Sequence, residues 1–153
     1  MKLVIAVVGS PRDAALAAAI AEYEARAVHY WPVQVVEVRE GSAKGRSVDD
    51  TRSREAEHLR SALGSMAYWV CTEGGVDHTS AQFAQWLQRL REAARDVALC
   101  IGGAFGLDRT FIAGAEGKLA LAPFTMPHEL ARLVLTEQVY RAGTIIRGEP
   151  YHK

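Results

Sequence analysis

The sequence predicts an α/β domain, a mainly parallel sheet with helices on both faces. Three observations predict it. Short apolar runs alternate with longer stretches of helical periodicity along the whole 153-residue chain. Most of these runs are apolar on successive residues rather than on every second one, as in strands covered on both sides. Glycine, proline and capping residues stand at the junctions. The length suits a single domain, 1–153, and no internal repeat, low-complexity tract or linker divides it.

Residues 3–8 (LVIAVV) form a β-branched run stopped by Gly9-Ser10-Pro11, which reads as a buried strand. Residues 13–28 carry Leu16, Ile20, Tyr23 and Ala27 near helical spacing. Residues 33–38 (VQVVEV) read as a second strand with Pro32 at its start. After the polar stretch 39–50, residues 51–63 read as a Glu- and Arg-rich helix stopped by Gly64. A third strand spans 66–72 and leads into a loop at Glu73-Gly74-Gly75. Ser80 is placed as the cap of a helix running to 94, with Phe83, Trp86, Leu87 and Leu90 on one face. Residues 97–101 form a strand that enters the loop Gly102-Gly103-Ala104-Phe105-Gly106. Asp108 can cap a short helix, 118–121 is the last strand, and 126–141 is the final helix with Pro127 in its first turn. The tail, 142–153, is mixed.

Composition narrows the function. Eighteen basic and eighteen acidic side chains cancel, so any nucleic-acid surface has to be local. Cys71 and Cys100 lie far apart in apolar runs, without metal or redox spacing, which suits a reducing compartment. The first apolar run breaks too early for a secretory leader, and no stretch is long enough to span a bilayer; the expectation is a cytoplasmic protein without membrane contact. Five histidines show no pairing of the zinc-hydrolase kind, so no metal is expected.

Ligands of open α/β sheets bind at the carboxyl ends of strands, which selects the loops after Thr72, Ile101 and Leu121. The loop 102–106 matches neither a dinucleotide nor a P-loop pattern, and its two readings are a phosphate cradle and a tight turn. Asp77, His78 and Ser80 invite a hydrolase reading, but the nucleophile-elbow pattern is absent and helix capping accounts for Ser80. Lys44, Arg46, Arg52, Arg54 and Arg60 form a loose basic group, either a solvated face or a phosphate-contacting patch.

IGGAFGLD (101–108), LALAPFTMPHELARLVLTEQVYRA (119–142) and PYHK (150–153) closely resemble the RlmH family. These are SPOUT-class methyltransferases that use S-adenosylmethionine on a pseudouridine of large-subunit ribosomal RNA. The resemblance covers the whole chain, including MKLVIAVVG (1–9), AKGR (43–46) and the Gly-Gly after the third strand. Departures fall at Glu73-Gly74, His78 and Ala104-Phe105, and Gly143 and Arg147 lie in the variable tail. The resemblance implies a C-terminal trefoil knot and a homodimer whose sites are completed across the interface. It also implies a donor pocket at Cys71, Thr72, Gly102, Gly103, Ala122, Pro123, Phe124, Thr125, Met126 and Pro127.

The reaction so implied is transfer of methyl to N3 of a pseudouridine in 23S rRNA, on the assembled ribosome. The imide N–H must lose its proton as the methyl arrives, which calls for a base or for a cation facing the developing anion. Arg141 is the candidate cation, permanently charged with a fork of donors. His152 and His128 are candidate bases, and Tyr151 a stacking residue. Glu137 is expected to pair with an arginine of the last helix. The rival reading is a ribosome-associated RNA-binding protein that keeps the fold without turnover.

Overall fold

A strand apolar on every residue needs cover on both faces, and the first one has it. In a computed structural model, which describes residues 1–41, 44–45 and 47–152 (the last by its backbone alone), β1 (Leu3–Val8) is buried along its whole length. It lies between β2 (Val33–Val38) and β4 (Val97–Ile101), and β3 (Tyr68–Asp77) and β5 (Gly117–Ala120) complete the sheet. The order is β2-β1-β4-β3-β5, with every pairing parallel. The predicted α/β architecture is present.

Helices α1 (Ala14–Ala27), α3 (Ser80–Glu92) and α5 (His128–Ile146) pack on Leu3, Ile5 and Val7. Helices α2 (Val48–Leu63) and α4 (Arg109–Ala113) pack on Val4, Ala6 and Val8. The two connections that step one way across the sheet, β1 to β2 and β3 to β4, use the first face. The two that step back use the second, as crossovers of a single hand require. No helix among the described residues is long and apolar enough to cross a membrane.

Several boundaries differ from the sequence reading, four of them informatively. Helix α2 starts three residues early because Ser47 and Asp50 make a reciprocal capping box. Helix α3 is capped by Thr79, whose hydroxyl accepts from Gln82 N–H, and not by Ser80. Strand β3 continues through 73–77, where a loop was expected, after a break in its register. Helix α5 runs five residues past 141, and Pro127 sits at its cap position. Gly143 falls inside that helix, and Tyr30 occupies the place its side chain would take.

One buried cation fastens α5 to the rest. Arg132 donates to Glu24 of α1 at 2.8 Å and to Glu37 of β2 at 2.6 Å. Trp31, fully buried, donates its indole N–H to the Val139 carbonyl at 2.9 Å. The Ser10 hydroxyl and then Arg132 hold the Glu37 carboxyl below its ordinary range. Its stabilising contribution is therefore present above the ordinary carboxylate range and lost as pH falls through its lowered value. Replacing Arg132 with Ala leaves two carboxylates facing each other and should remove about 3 kcal/mol of stability in urea unfolding at pH 7. A loss below about 0.5 kcal/mol would show that the cation does not fasten the helix.

Candidate active site

Strands β3 and β5 pair from Trp69–Gly117 to Cys71–Leu119, then resume at Val76–Leu119. Residues 72–75 are thus an excursion from the register, and Gly75 brings the chain back. A Cβ there would stand 2.5 Å from the Leu119 carbonyl carbon and 2.6 Å from Ala120 N, so only glycine lets the two backbones touch. Across β4, Gly106 N–H donates to the Gly103 carbonyl at 3.0 Å and closes a tight turn, with Gly106 at φ 79°. These two devices, with the chain leaving β5, enclose a cleft of about 670 Å³. Its size suits a small-molecule site.

Of the expected donor-pocket residues, Cys71, Thr72, Gly102, Gly103, Ala122, Phe124, Thr125, Met126 and Pro127 all line this one cleft, and Pro123 does not. His128, the first residue of α5, lines it too. The topological switch point itself, between β1 and β4, lies one strand away. The Thr125 hydroxyl donates to Glu73 and ties the two loops together. Burial pushes the Cys71 thiol up to about 12, so it is an inert wall and not a nucleophile.

The turn reading of 102–106 holds. Helix α4 has five residues, and the Asp108 carboxylate already accepts from Thr110 and Phe111 N–H, leaving no open cradle for a phosphate. Two members of the basic group brace this turn and the helix after it: Arg52 Nε donates to the Phe105 carbonyl at 2.7 Å, and Arg60 donates to the Thr110 hydroxyl at 2.8 Å. Lys44 and Arg54 are exposed, and Arg46 lies outside the described residues, as do Ser42, Ala43 and Lys153. The hydrolase constellation does not assemble: Ser80 donates to Gln138 at 2.7 Å, and His78 Nδ1 is 3.1 Å from the Val76 carbonyl. No group of three or more metal-ligating side chains occurs among the described residues.

Arg141 and Tyr151 do not line the cleft. Arg141 Nε and Nη2 donate to Glu137, at 2.9 and 2.6 Å, the pairing expected for that glutamate. The guanidinium lies 4.9 Å from the Tyr151 ring centre. Tyr151 donates its hydroxyl to Glu137 at 3.0 Å, meets Tyr23 at 3.1 Å, and packs edge-on against Tyr140. Hydrogen bonding to Glu137 holds Arg141 more firmly cationic, while burial and then the bonds to Tyr23 and Glu137 push the Tyr151 phenol far up. The side chain of His152 lies outside the described residues.

Sequence reasoning missed Glu55. It is buried, and its Oε1 accepts from Gly41 N–H at 3.0 Å. Burial, and then the charge of Glu40, push its carboxyl up, against the Gly41 bond and the charges of His128 and His58. The signal was present: Thr51, Glu55 and Leu59, each four residues from the next, share the inward face of α2.

The cleft lies at the ends of parallel strands, with the long helix α5 leaving its rim. A family model described as "Predicted SPOUT methyltransferase" matches residues 1–152. The chain is 55% identical to "Ribosomal RNA large subunit methyltransferase H" of Gemmatimonas aurantiaca and 46% identical to the protein of that name from an Anaeromyxobacter species. Both alignments cover 100% of this chain and of the relative. It belongs to the RlmH family of SPOUT methyltransferases. The fold is shared with methylase family proteins from Neisseria gonorrhoeae (TM-score 0.54, 14% identity, 91% of this chain and 81% of that one) and Haemophilus influenzae (TM-score 0.55, 11% identity, 99% and 70%).

SPOUT methyltransferases use S-adenosylmethionine, and the cleft suits it. Leu107, Ile112, Leu121 and Met126 offer apolar wall for a neutral adenine, and Glu73 offers negative charge for a cationic ligand. On one side Gly103 borders the cleft, where a side chain would take space from a ligand. The tighter constraint comes from behind, where a Cβ would stand 2.9 Å from Glu55 Oε2 and 3.1 Å from Val8 Cγ1. Gly103→Val should therefore push the turn into the cleft and weaken S-adenosylmethionine binding at least about tenfold by calorimetry, with far-ultraviolet dichroism unchanged. Unaltered affinity would separate this turn from the donor site.

Proposed function

We propose that this chain methylates N3 of a pseudouridine in 23S rRNA on the assembled ribosome, taking the methyl group from S-adenosylmethionine. One observation carries the reading. Segments distant in sequence, implied by the family resemblance to hold the donor, meet in a single cleft, with only Pro123 outside it. The names of the full-length relatives support ribosomal RNA as the substrate class.

The donor supplies an electrophilic methyl group on a sulfonium, and positioning by the cleft supplies much of the rate. Arg141 is the cation for the uracil carbonyl edge, Tyr151 the stacking residue, and His128 or His152 the base. Arg141 and Tyr151 stand away from their own chain's cleft, which supports a homodimer in which the tail of one copy completes the site of the other. The reading includes the trefoil knot, with α5 leaving a threaded C-terminal segment, and a cytoplasmic location.

Ribosomes from cells lacking the gene, incubated with the protein and labelled S-adenosylmethionine, should acquire one methyl group on N3 of a 23S rRNA pseudouridine, read by mass spectrometry of the digested RNA. Donor binding without transfer would favour the non-catalytic binder. Arg141→Ala and a chain ending at Pro150 should each lose about 10²-fold or more in transfer while keeping donor affinity. Near-normal transfer by both would take the tail out of the chemistry.

A further inference from the structure

Two buried polar atoms beside the cleft have no hydrogen-bond partner, Glu55 Oε2 and His128 Nε2. Glu55 is 5% exposed, and its Oε2 lies directly behind Gly103, which lines the cleft. His128 lines the cleft from the first turn of α5 and, with Val8, a small void next to it. Val8 Cγ1 also stands against Gly103, beside the Glu55 carboxyl. The two side chains thus approach the same stretch of wall, one from α2 and one from α5, with no hydrogen bond joining these two atoms, and the charge of His128 acts on the Glu55 carboxyl.

A buried carboxyl with an unused oxygen is costly, and natural chains rarely leave one without a reason. Burial raises this carboxyl in the folded state, so its charged form opposes folding: stability is greatest below the ordinary carboxylate range and declines as pH rises through the raised value. A neutral glutamine would avoid that cost at neutral pH. Stability does not explain Glu55, and its position beside the cleft does.

We propose that Glu55 is a positioning residue for methyl transfer, acting across the shared wall to favour the charged imidazole that His128 becomes when it accepts the N3 proton of the target base. The inference rests on the N3-methylation reading above. The N3–carbon bond forms as the sulfur–carbon bond breaks with its electron pair left on sulfur, and the N3 proton moves to the His128 imidazole. The Glu55 carboxylate, behind the same stretch of wall, offsets the charge of the resulting imidazolium, as a carboxylate does for an imidazole in other proton-transfer sites. Glu40 and His58 also face Glu55 electrostatically; Glu40 is paired with Arg12, and His58 Nδ1 lies 2.7 Å from the Arg39 carbonyl.

The test compares wild type, Glu55→Gln, His128→Ala and the double variant. Glu55→Gln should melt at the wild-type temperature or higher at pH 7.5 and bind S-adenosylmethionine within about threefold of wild type, yet slow single-turnover transfer at least about tenfold. In the His128→Ala background it should add no further loss, because it acts through that side chain. A residue with a merely structural role would lower the melting temperature, or give losses that add. Independently of turnover, the carbon-13 resonance of the Glu55 carboxyl should titrate at higher pH in His128→Ala than in wild type. Full-rate transfer by Glu55→Gln, additive losses, or a Glu55 titration indifferent to His128 would each overturn the inference. Absence of N3 methylation by wild type would overturn the proposed function instead, and the carbon-13 titration would still decide whether the two side chains are coupled.

Discussion

Everything at the site depends on two strands touching where no side chain can fit between them. Between β3 and β5 the chain leaves to build α3, β4 and α4, yet the two strands lie side by side, with Gly75 against the backbone of Leu119 and Ala120. That contact brings residues 71–73 together with 121–122 and 124–128 around one cleft, and β4 on the far side of β3 contributes the glycine turn. Parallel pairing over such a sequence separation is entropically expensive. Burial of both sheet faces offsets it, since β1 and β4 have no exposed residue and two separate clusters cover the sheet. The excursion at 72–75 is therefore a built feature, of the kind that re-aims a strand beside a site.

A second layer of organisation concerns the tail. Tyr151 is held by Glu137, Tyr23, Tyr140 and Arg141, a small aromatic and charged cluster that fixes residues 150–151 on α1 and α5. A tail packed in this way has already met part of its ordering cost. The longer course of α5 matters here: Arg141 lies inside the helix, so its charge is set by Glu137 rather than by a helix terminus.

The alternation of apolar and amphipathic segments was enough to read the parallel sheet, the helix count and the strand ends that form the cleft. The expected donor-pocket positions came from motif resemblance, and all but Pro123 converge on one cleft because they stand at the ends of strands of one parallel sheet. What sequence did not reveal was long-range. The register break in β3 depends on a neighbour some forty residues away, and the confinement of Gly103 depends on Glu55 from another helix. Local capping chemistry misled at Ser80, because Thr79 competes for the same role and Ser80 has a distant partner in Gln138. Glu55 itself carried a readable sign, an acidic side chain at an inward helical phase, whose meaning appears only once the glycine turn is seen in front of it.

The central claim is that this cleft, one strand removed from the topological switch point, is where the methyl donor binds. A crystal structure of the chain grown with S-adenosylhomocysteine tests it most directly. The account predicts nucleoside density in contact with the backbone of Gly102, Gly103 and residues 122–127. Density instead in the crevice between β1 and β4, beside Gly9 and Ser10, with the cleft left to solvent, would contradict it.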